Sequence, residues 1–124
     1  MHRRGSVLRA FKYSFAGLAA FWRNERNARI HLAVFVATIA ASIFFQIDRW
    51  EWAVILTACF AVPAAEAFNS SIETLADRVT LEEDPAIKRC KDIASAAVLI
   101  TCLGAVAVGV TVFGPRLLAF FDAA

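Results

Sequence analysis

The uncharged stretch at residues 93–113 constrains this chain more than any other feature. Its 21 residues are enough to cross the roughly 30 Å hydrocarbon core of a bilayer as an α-helix. Residues 31–47 form an uncharged stretch of 17 residues, close to the lower limit for a tilted span. Another begins near Trp52, stays uncharged through Ala65 and continues as a helix to about Val79. The sequence therefore predicts three transmembrane helices, at about residues 30–47, 52–79 and 93–113.

Polar or helix-breaking residues separate these predicted spans. Residues 48–52 indicate a tight turn that holds two tryptophans at the depth of the membrane interface. The acidic segment 81–85 is expected to break the second span. Gly114 and Pro115 are expected to end the third span, which leaves residues 117–121 along the interface.

The composition favours an integral membrane protein organised as one domain, residues 1–124. Hydrophobic residues make up 60% of the chain, whereas roughly 45–50% is usual for soluble domains. The net charge of +2 creates no strong field for nucleic acid, so no nucleic-acid partner is predicted. Cys59 and Cys102 lie inside apolar stretches and are expected to pack as small hydrophobic side chains.

Before the first span, the sequence predicts an amphipathic surface helix at about residues 6–24. Its apolar residues recur at three- and four-residue steps, at Leu8, Phe11, Phe15, Leu18 and Trp22. A basic helix with an aromatic apolar face is typical of the plane of a membrane interface. A helix packed on other protein is the alternative.

The distribution of basic residues predicts the orientation. Of the 13 Lys and Arg residues, seven precede the first span and four lie between the second and third. One lies in the first turn and one follows the third span. Because loops rich in Lys and Arg stay in the cytoplasm, the N-terminus and second loop are predicted inside and the C-terminus outside.

Glu66 is the most informative residue because it interrupts an apolar helix. An ionisable group at that depth costs on the order of 2.5–3.5 kcal/mol on insertion scales, which indicates a functional role. Glu73 and Asp77 follow at helical spacing, within roughly 40° of the same face. Asn69 and Ser70 lie one turn along, where they can hydrogen-bond to the carboxylates. A proton-coupled transporter could also use a buried glutamate, but it would not need a series of acids that leads to the cytoplasm.

These residues resemble a known family. The segment EAFNSSIE (66–73), with Asp77, resembles the signature of the prokaryotic integral-membrane diacylglycerol kinases and the related undecaprenol kinases. The resemblance continues, in the family's order, in YSFAG (13–17), NERNARIH (24–31), EW (51–52), PAIKRCKD (85–92) and ASAAV (94–98). It implies an all-α membrane protein with a surface helix and three spans, assembled as a homotrimer with active sites between protomers.

The implied activity is that of an ATP-dependent lipid kinase, a transferase that acts on a lipid alcohol in the bacterial inner membrane. The resemblance leaves the acceptor open. Diacylglycerol would give phosphatidic acid in phospholipid metabolism, and undecaprenol would give undecaprenyl phosphate. A non-catalytic membrane subunit or a small transporter is the alternative of a different class.

The resemblance also assigns roles. Glu66 matches the catalytic base that takes the proton from the primary hydroxyl of the lipid, and Ser95 matches a lipid contact. Glu25 and Glu73 match ligands of the Mg²⁺ that accompanies ATP, and one or two carboxylates suffice for that ion. The matched nucleotide contacts are Tyr13, Glu25, Glu73, Glu82, Glu83, Asp84, Lys91 and Asp92.

Three further positions also bear on the site. Pro63, one turn before Glu66, is absent from the family pattern and frees a backbone carbonyl. Ser6 stands where the family has an arginine near the start of the surface helix, and Arg9 is the nearby basic residue. His31, at the start of the first span, is interpreted as a satisfied interfacial histidine, and a ligand is the alternative.

Overall fold

A computed structural model describes the backbone of residues 4–124 and the side chains of residues 7–124; the Ser6 side chain lies outside this range. The described chain forms four helices: α1 (Arg4–Asn24), α2 (Arg26–Phe44), α3 (Arg49–Val79) and α4 (Pro85–Asp122). Helices α2, α3 and α4 are long and apolar enough to cross a membrane. For the described residues, the predicted all-α fold with three candidate spans is confirmed.

The lengths of α3 and α4 place polar residues beyond the apolar layer. Their 31 and 38 residues correspond to roughly 46 and 57 Å of helix, whereas the hydrocarbon core is only about 30 Å thick. The connection between them, residues 80–84, is non-helical, as the acidic segment predicts. Glu73 and Asp77 lie on α3 shortly before this connection, and Lys88 and Lys91 lie on α4 shortly after it.

One residue separates α1 from α2. Glu25 has an extended backbone, with φ −105° and ψ 117°, while its N–H still donates to the carbonyl of Phe21 at 3.0 Å. The chain therefore turns sharply at a residue that sequence analysis assigns to metal binding. This corner lies at the end of α2 that the charge distribution predicts to be cytoplasmic.

The turn between α2 and α3 is held by a Schellman motif. The N–H of Ile47 donates to the carbonyl of Ser42, and the N–H of Gln46 to that of Ile43, both at 3.2 Å. Gln46 occupies the left-handed position with φ 51°, where glycine is the usual residue. The motif directs Ile47 into the protein core.

The core lies between α3 and α4, the two helices that pack most extensively. Ile47, Ile55 and Val112 are buried at its centre. Cys59 packs against this cluster, which confirms its prediction as a small hydrophobic side chain. Helix α2 packs over a shorter length of α3, and α1 contacts α2.

The expectation that Gly114 and Pro115 end the third span is wrong for the helix itself. Helix α4 continues through Pro115 to Asp122. The proline removes one backbone hydrogen bond, and two contacts hold this part of α4 against the other helices. Phe120 packs edge-on against Phe44 at a centroid distance of 6.1 Å, and Arg116 forms an ion pair with α3.

This ion pair joins the C-terminal part of α4 to the start of α3. Arg116 Nη2 donates to Glu51 Oε2 at 2.7 Å, and Nη1 donates to Glu51 Oε1 at 3.0 Å. The same carboxylate accepts from the N–H of Asp48 at 2.8 Å, which satisfies an unpaired donor at the helix start. The two-point geometry matches the planar guanidinium to the carboxylate.

Replacing Arg116 with glutamine is expected to lower the thermal unfolding midpoint by several degrees, because it leaves the mostly buried Glu51 carboxylate without its counter-charge. Arg116→Lys keeps the charge but loses the two-point geometry, so an intermediate midpoint is expected. The control is Lys88→Gln, which removes an exposed ion pair with Asp92 within α4 and should change the midpoint little. Unfolding followed by circular dichroism in detergent measures all three variants. Equal midpoints for Arg116→Gln and Lys88→Gln would contradict the prediction.

Candidate active site

Glu66 lies on α3 and faces α2. Its side chain is 13% exposed, and its Oε1 lies 3.2 Å from Nε2 of His31, which is 21% exposed. Among the described residues this is the one hydrogen bond between side chains of α2 and α3. His31 is therefore satisfied by a hydrogen bond, and its partner is the predicted catalytic base.

One turn beyond Glu66, Asn69 connects to the next predicted site residue. Its Nδ2 donates to Glu73 Oε1 at 3.3 Å, as helical spacing predicts. Its Oδ1 is buried without a hydrogen-bond partner in the described chain. Buried acceptors are rarely left unpaired, so this oxygen is available to a donor that the single chain does not provide.

Ser70 differs from the expectation. Its backbone carbonyl accepts from Thr74 Oγ1 at 2.9 Å, but no hydrogen bond joins the Ser70 hydroxyl to Glu66 or Glu73. The predicted support of the carboxylates by this serine is therefore absent within the described chain. Of the two residues, Asn69 is the one that bonds to a carboxylate, that of Glu73.

The loop between α3 and α4 forms a cavity of about 600 Å³. Five of the predicted nucleotide contacts line it, together with Asp77: Glu82, Glu83, Asp84, Lys91 and Asp92. The sequence places these residues on two helices and a loop, and the helical hairpin brings them to one opening. Acidic and basic groups therefore face each other across a space at the polar end of the hairpin.

Lys91 is held at this cavity by Asp77. Its Nζ donates to Asp77 Oδ1 at 2.9 Å, across from α4 to α3. Lys91 precedes the uncharged stretch 93–113, and the hydrogen bond from its ammonium group to the Asp77 carboxylate, with their mutual attraction, raises the pKa of Lys91. The ammonium group therefore stays charged at neutral pH and can face an anionic ligand.

Asp84 has a structural role that the sequence did not assign. Its Oδ1 accepts from the N–H groups of Ala86 at 2.8 Å and Ile87 at 3.1 Å, and Pro85 opens the helix. This is an N-cap, which satisfies donors at the start of α4. The signal was present in the sequence as an aspartate directly before proline.

Other predicted site residues lie apart from these contacts. Tyr13 is exposed on α1, Glu25 lies at the corner between α1 and α2, and Ser95 is exposed on α4. None of the three lines the 600 Å³ cavity. The single chain therefore brings together one cluster at the loop between α3 and α4 and one cluster around Glu66, and it leaves these three residues outside both.

Glu25 and Glu73 suit a divalent metal by their chemistry. Both are carboxylates, and neither forms an ion pair with a described basic side chain. The described residues contain no group of three or more His, Cys, Asp or Glu side chains placed to hold a metal. A metal carried by a nucleotide needs only one or two protein carboxylates, so two glutamates would suffice in number.

A second cavity, of about 360 Å³, lies between α2, α3 and α4. Its lining is apolar apart from a few side chains, of which His31 is the one that also contacts Glu66. Pro63, one turn before Glu66, lines the same space. The Glu66 cluster therefore adjoins an apolar space within the membrane-spanning part of the molecule.

Comparison with known proteins identifies the family. The sequence profile of prokaryotic diacylglycerol kinases matches residues 12–113. The chain belongs to the prokaryotic diacylglycerol kinase family. The match confirms the predicted resemblance, and it contains every predicted site residue from Tyr13 to Ser95.

Individual family members show similarity over most of their length. The diacylglycerol kinase of Pseudomonas aeruginosa is 36% identical over 91 residues, which cover 73% of this chain and 74% of the relative. The diacylglycerol kinase of Escherichia coli K12 is 31% identical over 100 residues, covering 81% and 82%. The diacylglycerol kinase of Helicobacter pylori 26695 is 36% identical over 96 residues, covering 76% and 73%.

Proposed function

We propose that this chain is an ATP-dependent lipid kinase that transfers the γ-phosphate of ATP to the primary hydroxyl of diacylglycerol, which gives phosphatidic acid. The observation that carries the proposal is the placement of Glu66. This carboxylate lies on a membrane-spanning helix of a family member, beside an apolar cavity and two helical turns from Glu73. Seven residues correspond to roughly 10 Å of helix, so the two carboxylates lie on one face at different depths.

In the proposed reaction, Glu66 accepts the proton of the lipid hydroxyl. The hydroxyl oxygen forms a bond to the γ-phosphorus, the bond from that phosphorus to the β-phosphate oxygen breaks, and ADP leaves. Glu66 then releases its proton to water. Because phosphoryl transfer depends mainly on alignment and charge neutralisation, Lys91 contributes by holding its ammonium group towards the phosphates.

We further propose that Glu25 and Glu73 hold the Mg²⁺ that accompanies ATP. When bound, the ion would neutralise part of the negative charge of the phosphates. The hydrogen bond from Asn69 to Glu73 Oε1 orients this carboxylate and leaves its second oxygen for a ligand. Carboxylate ligands and retained water are typical of magnesium sites.

The relatives named diacylglycerol kinase support diacylglycerol as the acceptor, and undecaprenol remains the alternative lipid. Both present a primary hydroxyl on an apolar body, so Glu66 chemistry alone does not separate them. The apolar cavity beside His31 suits either hydrocarbon. A direct comparison of the two lipids decides between them.

For the membrane arrangement, we propose a multi-pass protein of the bacterial inner membrane with a cytoplasmic N-terminus and an external C-terminus. Basic residues before α2 and between α3 and α4 support this orientation. It places the 600 Å³ cavity on the side where ATP is available. The exposed apolar residues of α1, among them Leu8, Phe11 and Phe15, suit a helix at the membrane interface.

We also propose a homotrimer with active sites between protomers. In one chain, Asn69 Oδ1 lacks a partner and Glu73 is exposed. Unshielded polar groups are costly next to hydrocarbon, so neighbouring copies would cover this face. Tyr13 and Ser95, which lie outside both clusters of the single chain, would then join a site from another protomer.

The test is transfer of radiolabel from the γ-phosphate of ATP into a chloroform-extractable product. Sealed vesicles that contain the protein and either diacylglycerol or undecaprenol receive ATP from outside. Inside-out vesicles are expected to label phosphatidic acid, and right-side-out vesicles are expected to label it only after rupture. Size fractions of detergent-solubilised protein, assayed in the same way, should show activity in the trimer fraction.

Each outcome addresses a different part of the proposal. If undecaprenyl phosphate is labelled and phosphatidic acid is not, the acceptor is undecaprenol and not diacylglycerol. Labelling by intact right-side-out vesicles would show that the orientation is the reverse of the proposed one. Full activity of a monomer would contradict the proposed trimer. No labelled lipid from any preparation would favour a non-catalytic subunit or transporter.

A further inference from the structure

The hydrogen bond between His31 and Glu66 joins two helices, which goes beyond what a histidine at the membrane interface requires. The two residues are 35 positions apart, on different helices, and Nε2 lies 3.2 Å from Oε1. Both side chains are mostly shielded from solvent, at 21% and 13% exposure. The contact therefore fixes one oxygen of the glutamate from across the helix interface.

Surroundings of low polarity strengthen this contact. His31 lines the 360 Å³ cavity among apolar side chains that include Val34, Phe35 and Val62. In such surroundings a hydrogen bond is electrostatically stronger than in water, and an unpaired polar group is more costly. A carboxylate at this position is consequently held by its partner and does not rotate freely.

We propose that His31 is a positioning residue for Glu66. With the imidazole as the Nε2–H tautomer, His31 donates to Oε1 and holds the carboxylate in one orientation. Oε2 is then the oxygen that accepts the proton of the lipid hydroxyl. This inference rests on the proposed role of Glu66 as the base, and it assigns His31 no direct contact with substrate.

Orientation of a base has a large effect on rate. A misplacement of about 1 Å in a reacting group lowers the rate by roughly 10². The donor of His31 is at its Nε2 atom, four bonds from Cα. Glutamine carries an amide nitrogen at the same number of bonds, whereas the amide nitrogen of asparagine is one bond closer. The two amides therefore differ in whether they can reach Glu66.

The experiment compares His31→Gln, His31→Asn and His31→Leu in the full-length protein, reconstituted in lipid. His31→Gln is expected to keep turnover within a few-fold of the unchanged protein. His31→Asn and His31→Leu are expected to lower kcat by roughly 10², with the KM for ATP little changed. Thr57→Val is the control, because the Thr57 hydroxyl bonds only to the Ala53 carbonyl of its own helix. It should keep full turnover.

A double variant separates positioning from a general structural role. If His31 acts through Glu66, adding His31→Leu to Glu66→Gln should cause no further loss of turnover. An additional loss in the double variant would overturn the inference, as would equal losses in His31→Gln and His31→Leu. Full turnover of His31→Leu beside an inactive Glu66→Gln would also overturn it, while the proposed function would stand. Full turnover of Glu66→Gln would instead remove the proposed base, and the inference with it.

Discussion

Replacement of Glu66 by glutamine is expected to lower turnover by roughly 10²–10⁴, which is the usual contribution of general acid–base catalysis. Glutamine keeps the volume of the side chain and can still accept a hydrogen bond from His31, but it cannot accept the substrate proton. Affinity for Mg²⁺-ATP should change little because Glu66 lies two helical turns from Glu73. The loss is therefore expected in the chemical step.

The measurement pairs turnover with nucleotide affinity for the Glu66→Gln protein in lipid. Expression should be unchanged or higher, since a neutral amide enters a membrane more readily than a carboxylate. Asp122→Asn is a matched control, because it makes the same chemical change at an exposed residue at the end of α4. Turnover near the unchanged level in Glu66→Gln would assign Glu66 a structural role and remove the centre of the mechanism.

Replacement of either Glu25 or Glu73 by glutamine is expected to weaken Mg²⁺-ATP binding and lower turnover together. Loss of even an outer-shell partner typically costs about 10–100-fold in metal affinity or activity, so a direct ligand should cost at least that. Glu25 lies at the corner between α1 and α2, and Glu73 lies on α3. If both variants change the metal dependence, the two glutamates act on the same ion, although helical spacing alone does not bring them together.

Titration of activity with Mg²⁺ at fixed ATP measures this effect. Glu25→Gln and Glu73→Gln should both need more Mg²⁺ for half-maximal rate, and excess metal should recover part of the turnover. Asp122→Asn again serves as the control. Normal metal dependence in both variants would show that the ligands lie elsewhere.

Much of this architecture could be predicted from the sequence because its signals are local. A membrane span needs an uninterrupted apolar stretch, and residues 93–113 form one that can be read directly from the sequence. The face shared by Glu66, Asn69 and Glu73 follows from the helical period, so the hydrogen bond from Asn69 to Glu73 was predictable. The motif around Glu66 also predicted the family, which the match over residues 12–113 confirms.

The contacts between helices could not be predicted in the same way. His31 and Glu66 are 35 positions apart, and Glu51 and Arg116 are 65 apart. Whether such pairs meet depends on the rotation and crossing of packed helices, which hydropathy does not specify. Pro115 illustrates the same limit, because local rules predict a helix end there while packing on α2 and α3 carries α4 onward to Asp122.

The sequence by itself determined the three candidate spans, the acidic face of α3 and the family. Each follows from the order of residues along one helix or one motif, where spacing translates directly into geometry. Only the tertiary structure decided that His31 contacts the predicted base, that Arg116 pairs with Glu51, and that the loop residues share one cavity with Lys91. These depend on which helix faces meet, and that choice is made by the packing of the whole chain.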